Sequence, residues 1–102
     1  MYRARDQIEN EAWVEKIERI TEALGLSDTA RSRAIDVFLS NVPETDRSKR
    51  AVLAASVYVG ALVAGDQRSQ AEVAEAADVS RLSVQQRWKE LLEDTGLEPP
   101  GW

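Results

Sequence analysis

Residues Gln70 to Leu92 read QAEVAEAADVSRLSVQQRWKELL, two helical stretches on either side of a tight turn. Ala74 is small where the first stretch must approach the second, Val79 anchors the turn, and Ser80 is a residue type that caps a following helix. Val84, Trp88, Leu91 and Leu92 then recur at helical spacing and supply an inward side, leaving Arg81, Ser83, Gln85 and Gln86 on the outer side. This is the pattern of a helix-turn-helix, which offers a polar helix surface of the size that enters a DNA major groove. The chain therefore reads as a binder and not as a catalyst.

The unit has clear ends. Ser69-Gln70-Ala71-Glu72 is a capping box, in which the serine and the glutamate each satisfy an open end of the first turn. That helix is expected to stop near Ala77, with Asp78 in a left-handed backbone position, where glycine is best and aspartate tolerable. The second helix is expected to run from Ser80 to about Asp94 and to end at Gly96.

Three further helices precede it. In the first, Trp13, Ile17, Ile20 and Leu24 recur at helical spacing, with Ile8 earlier, and Gly25 ends the pattern. Its outer face is acidic, with Glu9, Glu11, Glu15, Glu18 and Glu22, and Glu15 is placed to pair with Arg19 one turn on. The second starts at a Ser27 cap, carries Ala30, Ala34, Val37 and Phe38, and is stopped by Pro43. The third, near Arg47 to Ala64, is apolar almost all round, which predicts a position in the middle of a bundle. Gly65 closes it.

At 102 residues the chain makes one domain, able to bury roughly 60–70% of its unfolded surface. It contains no cysteine and no histidine. Disulfides, thiolate chemistry, the commonest metal ligand and the usual neutral-pH base are thereby removed, so neither a metal nor another cofactor is expected. Paired carboxylates such as Glu72 and Glu75 fall on helix surfaces with no recognisable pocket partner, so no enzyme is expected either. The run Ala51 to Ala64 is about five residues short of a membrane-spanning helix and is broken by Ser56 and Gly60. The first ten residues lack the apolar stretch of a signal peptide, and the expected location is cytoplasmic.

Net charge is −5, from 18 acidic and 13 basic residues. Residues 1–46 carry 6 basic and 10 acidic side chains and residues 47–102 carry 7 and 8, so most of the acid excess lies in the first half of the chain. Ten of the basic residues are arginine against only Lys16, Lys49 and Lys89, a mixture that resembles proteins of salt-loving archaea. In molar salt the Debye length is about 3 Å and net charge neither attracts nor repels DNA at a distance.

The stretch Lys49 to Leu62, KRAVLAASVYVGAL, followed by Ser69 to Leu91, SQAEVAEAADVSRLSVQQRWKEL, resembles a cyclin-fold repeat of archaeal transcription factor B, the counterpart of eukaryotic transcription factor IIB. The match covers Arg47 to Leu92, and residues 8–45 agree in supplying two preceding amphipathic helices. The resemblance implies an all-α, five-helix cyclin-like domain over residues 8–96, with a helix-turn-helix at 69–94; residues 1–7 are expected to be a flexible N-terminus, and Pro99 and Pro100 make 97–102, ending in Trp102, an expected extended tail. In the family's second repeat, this helix-turn-helix reads the element beside the TATA box. Family members carry two repeats and usually a zinc ribbon, whereas this chain has room for one repeat and no cysteine, which points away from a complete initiation factor. At the family's groove-reading positions, a small apolar residue and an arginine, stand Leu82 and Gln85. Glutamine pairs best with adenine and arginine with guanine, so a different sequence preference is expected. The family's turn glycine is Asp78 here, its threonine Ser83 and its tyrosine Trp88.

The expected partner is double-stranded promoter DNA. Arg81, Gln85 and Gln86 would read bases, Leu82 would touch a thymine methyl, Ser80 and Ser83 would bond phosphate or base edges, and Arg68 and Lys89 would contact the backbone. Arg47, Lys49 and Arg50 form a dense basic cluster suited to a secondary contact, or simply to solubility at the start of an apolar helix. Ser80 also serves as an ordinary cap, and Trp13 and Trp88 as core. The competing expectation is a protein-interaction module of the transcription machinery, as a homodimer or bound to TATA-binding protein, without direct DNA readout.

Overall fold

The computed structural model describes residues 10–96. Six helices lie among them: α1 Glu11–Ala23, α2 Asp28–Ser40, α3 Asp46–Val63, α4 Gln70–Ala77, α5 Arg81–Gln85 and α6 Trp88–Asp94. No strand occurs among the described residues. The N-terminal segment 1–7, Ile8 and the tail 97–102 with Trp102 lie outside them. Helices α5 and α6 are together the fifth helix of the sequence pattern, and the arrangement is the all-α, cyclin-like one that the resemblance implies.

A helix apolar on every side must be surrounded, and α3 is. Every residue from Leu53 to Ala61 is buried, and all five other helices pack against it. The closest neighbour is α2, with Ala30 and Ala34 fully buried at the seam. Gly60 permits that approach: a β-carbon there would lie 2.7 Å from the Ala30 carbonyl oxygen and 2.7 Å from the Ala34 amide nitrogen. The buried hydroxyls are satisfied locally: Ser56 donates to the Val52 carbonyl at 2.7 Å and Thr21 to the Glu18 carbonyl at 3.0 Å.

Helix α1 buries Val14, Ile17 and Ile20, a stripe turned slightly from the expected one. Trp13 and Leu24 are only partly buried as a result. Trp13 stands at the edge of the core, 6.4 Å from the Phe38 ring, with the ammonium groups of Lys16 and Lys49 5.2 and 5.9 Å from its ring centre. Trp88 is fully part of the core, packed edge-on against Tyr58 at 5.3 Å.

Helix ends follow side-chain chemistry. Ser27, Thr45, Ser69 and Ser80 each accept a hydrogen bond from the amide three residues on. Because Thr45 is the cap, α3 begins one residue before the expected Arg47. At its end Gly65 takes a left-handed conformation, φ 76°, and the Asp66 amide donates back to the Ala61 carbonyl at 2.8 Å.

The loop after α3 is tied to the corner between α1 and α2. Asp66 accepts the Ser27 amide on its carboxylate at 2.7 Å. Arg68 donates from Nε to the Leu24 carbonyl at 3.2 Å, from Nη2 to Gly25 at 3.4 Å and from Nη1 to Asp66 at 2.9 Å. This clamp fixes the point from which the helix-turn-helix starts.

Candidate nucleic-acid interface

The first helix of the pair opens as its sequence predicts. Ser69 accepts from the Glu72 amide at 3.0 Å, and the Glu72 carboxylate accepts from the Ser69 amide at 3.2 Å, so both halves of the capping box are made. Val73 and Ala74 face the core. The turn is made by Asp78 at φ 57°, ψ 46°, and the Val79 amide donates to the Ala74 carbonyl at 3.0 Å. Aspartate occupies here the left-handed position that suits glycine best.

From this turn α5 departs with Val84 fully buried, and Trp88 follows into the core. Arg81, Leu82, Gln85, Gln86 and Lys89 are exposed on the other side. Leu82 is 57% exposed and is the large apolar side chain left uncovered among the described residues. An apolar residue flanked by arginine and glutamines on an open helix surface can touch a methyl group while its neighbours hydrogen-bond base edges.

The second helix differs from expectation in one respect. It is interrupted at Gln86–Arg87, where Arg87 has φ −118° and its amide donates to the Val84 carbonyl three residues back. Neither glycine nor proline is present to announce the break. The tightened turn accompanies the seating of Trp88 against Tyr58, a tertiary requirement. Lys89 consequently stands on α6, while Arg81, Leu82 and Gln85 stand on α5.

The remaining expected residues divide into two groups. Ser80 caps α5, and its hydroxyl lies 2.9 Å from that of Ser83, so the two hydroxyls are bonded to each other as well as to the helix end. Arg68, expected on the DNA backbone, has its guanidinium turned to the Leu24, Gly25 and Asp66 carbonyls. The basic cluster separates: Lys49 lies 3.9 Å from Asp46 and near Trp13, Arg47 is exposed, and Arg50 joins a groove between α1 and α4.

Two residues beside the interface were not picked out from sequence. Gln67 and Gln70 line a depression with Tyr58, Gln85, Trp88 and Lys89. Gln67 donates to the Tyr58 hydroxyl at 3.4 Å, and the Gln70 side-chain oxygen is buried with no hydrogen-bond partner. Their signal was position, since both flank the cap of α4. Among the described residues no group of acidic side chains is placed to hold a metal, and no helix is long and apolar enough to cross a membrane.

A family model described as the transcription factor TFIIB repeat matches residues 8–94. The chain is 34% identical over 87 residues to transcription initiation factor IIB of Pyrococcus abyssi, covering 82% of this chain and 29% of that protein. It is 37% identical over 86 residues to the factor of the same name from Archaeoglobus fulgidus, covering 80% and 26%. For that of Methanoculleus marisnigri the identity is 32% over 89 residues, covering 83% and 26%. The chain thus spans under a third of the length of these relatives.

Proposed function

The chain belongs to the transcription factor TFIIB repeat family, and from that premise we propose that this domain acts in transcriptional regulation by binding promoter DNA through α5. The observation that carries this reading is the uncovered flank of α5: Arg81, Leu82, Gln85 and Gln86 exposed, with Val84 buried behind them. Arg81 reads guanine through its fork of N–H donors, Gln85 and Gln86 read adenine, and Leu82 rests on a thymine methyl. Lys89 contacts a phosphate. Ser80 and Ser83 hold the start of the helix in register and offer their remaining hydroxyl capacity to the same strand, while Arg68 acts from behind by fixing the base of α4.

Each paired base contact contributes about 1–3 kcal/mol of discrimination. The test is selection of a site from a random duplex pool, followed by gel retardation. Wild type is expected to prefer its selected duplex, and Arg81→Ala with Gln85→Ala to lose at least about tenfold of that preference while melting at an unchanged temperature. If that double variant selects the same site with the same affinity, the reading falls. Association with a partner protein unaffected by the same changes would instead favour the interaction module.

A further inference from the structure

Away from the face of α5, a groove runs between α1, the start of α3 and the end of α4. Lys16, Arg19 and Arg50 line it, above Ile20 and three alanines, Ala23, Ala76 and Ala77. The chain as a whole carries net charge −5, so three cations converging from two elements are a local reversal of sign. Arg19 and Arg50 are exposed and form no ion pair among the described residues, and the expected Glu15–Arg19 pair is not made. Lys16 is held over the Trp13 ring. The groove ends on Ala77 and Asp78, which are the end of α4 and the turn of the helix-turn-helix itself.

We infer that this groove is a second phosphate-binding site, in which Arg19 and Arg50, with Lys16 beside them, take the sugar–phosphate backbone flanking the major groove that α5 enters. The inference rests on the DNA-binding reading above. Two features select a nucleic-acid backbone over an acidic peptide. The groove adjoins the turn that leads into α5, so a duplex engaged by that helix already passes close to it. Its alanine floor lets a backbone approach without a long side chain to hold it off. Asp78 is the one carboxylate lining the groove and opposes a phosphate there.

The measurement is the affinity for the selected duplex between 50 and 200 mM salt, by fluorescence anisotropy, for wild type, Arg19→Gln with Arg50→Gln, Asp78→Asn, and Arg81→Ala with Gln85→Ala. Each lost phosphate contact lowers the slope of log affinity against log salt by about 0.9, so the Arg19/Arg50 variant is expected to lose about 2 from the slope. Over that salt range wild type then loses about tenfold more affinity than the variant. The loss is equal on selected and unrelated duplexes, because phosphates carry no sequence information. Asp78→Asn, which keeps the left-handed tolerance, tightens binding a few-fold. A slope unchanged in the Arg19/Arg50 variant, with wild type still selective and the Arg81/Gln85 variant not, overturns this inference and leaves the DNA-binding reading standing. Wild type binding no duplex overturns both. A decamer of glutamate captured by wild type and lost in the Arg19/Arg50 variant, with the DNA slope unchanged, overturns it in favour of an acidic peptide.

Discussion

Replacing Gly60 by alanine sets two effects against each other, and the structure decides their sign. In an open helix the change stabilises by about 1 kcal/mol, because glycine is the poorer helix former. Here the new β-carbon would sit 2.7 Å from the Ala30 carbonyl oxygen, 2.7 Å from the Ala34 amide nitrogen and 2.9 Å from the Ala34 α-carbon. Ordinary contact begins near 3.4 Å, so α2 must retreat by about 0.7 Å along its seam with α3. That retreat loosens Ala34, Val37 and Phe38 against the central helix. Overpacking in a core costs about 1–3 kcal/mol, and main-chain atoms that cannot rotate away put this case at the upper end. The net expectation is a loss of about 2 kcal/mol, or roughly 8–16 °C in Tm for a domain of this size. Urea unfolding followed by circular dichroism measures it directly. Because the atoms met belong to the main chain, adding Ala34→Gly does not rescue the variant. A Gly60→Ala protein as stable as wild type, or rescue by Ala34→Gly, would show that main-chain crowding at the α2–α3 seam does not limit this position.

Ser69→Ala removes the oxygen that accepts the Glu72 amide and opens the capping box; about 1 kcal/mol of stability should be lost, read from the same urea curves, and Glu72→Gln should lose less. Asp78→Gly relieves the left-handed strain at φ 57° and is expected to stabilise by up to about 1 kcal/mol, whereas Asp78→Ala should destabilise; a melt showing the reverse order would contradict the turn geometry. Arg68→Lys replaces a fork that reaches the Leu24, Gly25 and Asp66 carbonyls by a single ammonium; a loss of about 1–2 kcal/mol is expected, with base preference on DNA unchanged.

What was legible in the chain was local or periodic. The apolar surround of Leu53 to Ala61 announced a central helix because no solvated face could be drawn on it. Ser69 with Glu72, and Asp78 after Ala77, named the ends of α4 because caps and left-handed turns are chosen by neighbouring side chains. The exposure of Arg81, Gln85 and Gln86 follows from the inward spacing of Val84 and Trp88, whereas Ser83, expected on the same outer side, is half-buried against the Ser80 hydroxyl, and Leu82 is singled out by the resemblance and not by spacing. What was not legible depends on residues far apart in the chain. Arg68 looked like a surface cation, but its partners Leu24 and Gly25 precede it by more than forty residues. The interruption after Gln85 comes with the packing of Trp88 against Tyr58, which no neighbouring residue signals. The groove of Lys16, Arg19 and Arg50 exists only once α1 and α3 are side by side, and the three were spread across two stretches that read as an acidic face and a solubilising cluster.

The claim that α5 reads the major groove is tested most directly by dimethyl sulfate footprinting, since the reagent methylates guanine N7 in the major groove and adenine N3 in the minor groove. With α5 in the major groove, guanine N7 on the selected duplex is protected, and Arg81→Ala with Gln85→Ala abolishes that protection, while adenine N3 within the same site stays reactive. Protection confined to adenine N3, or guanine protection that survives the double variant, would contradict that claim.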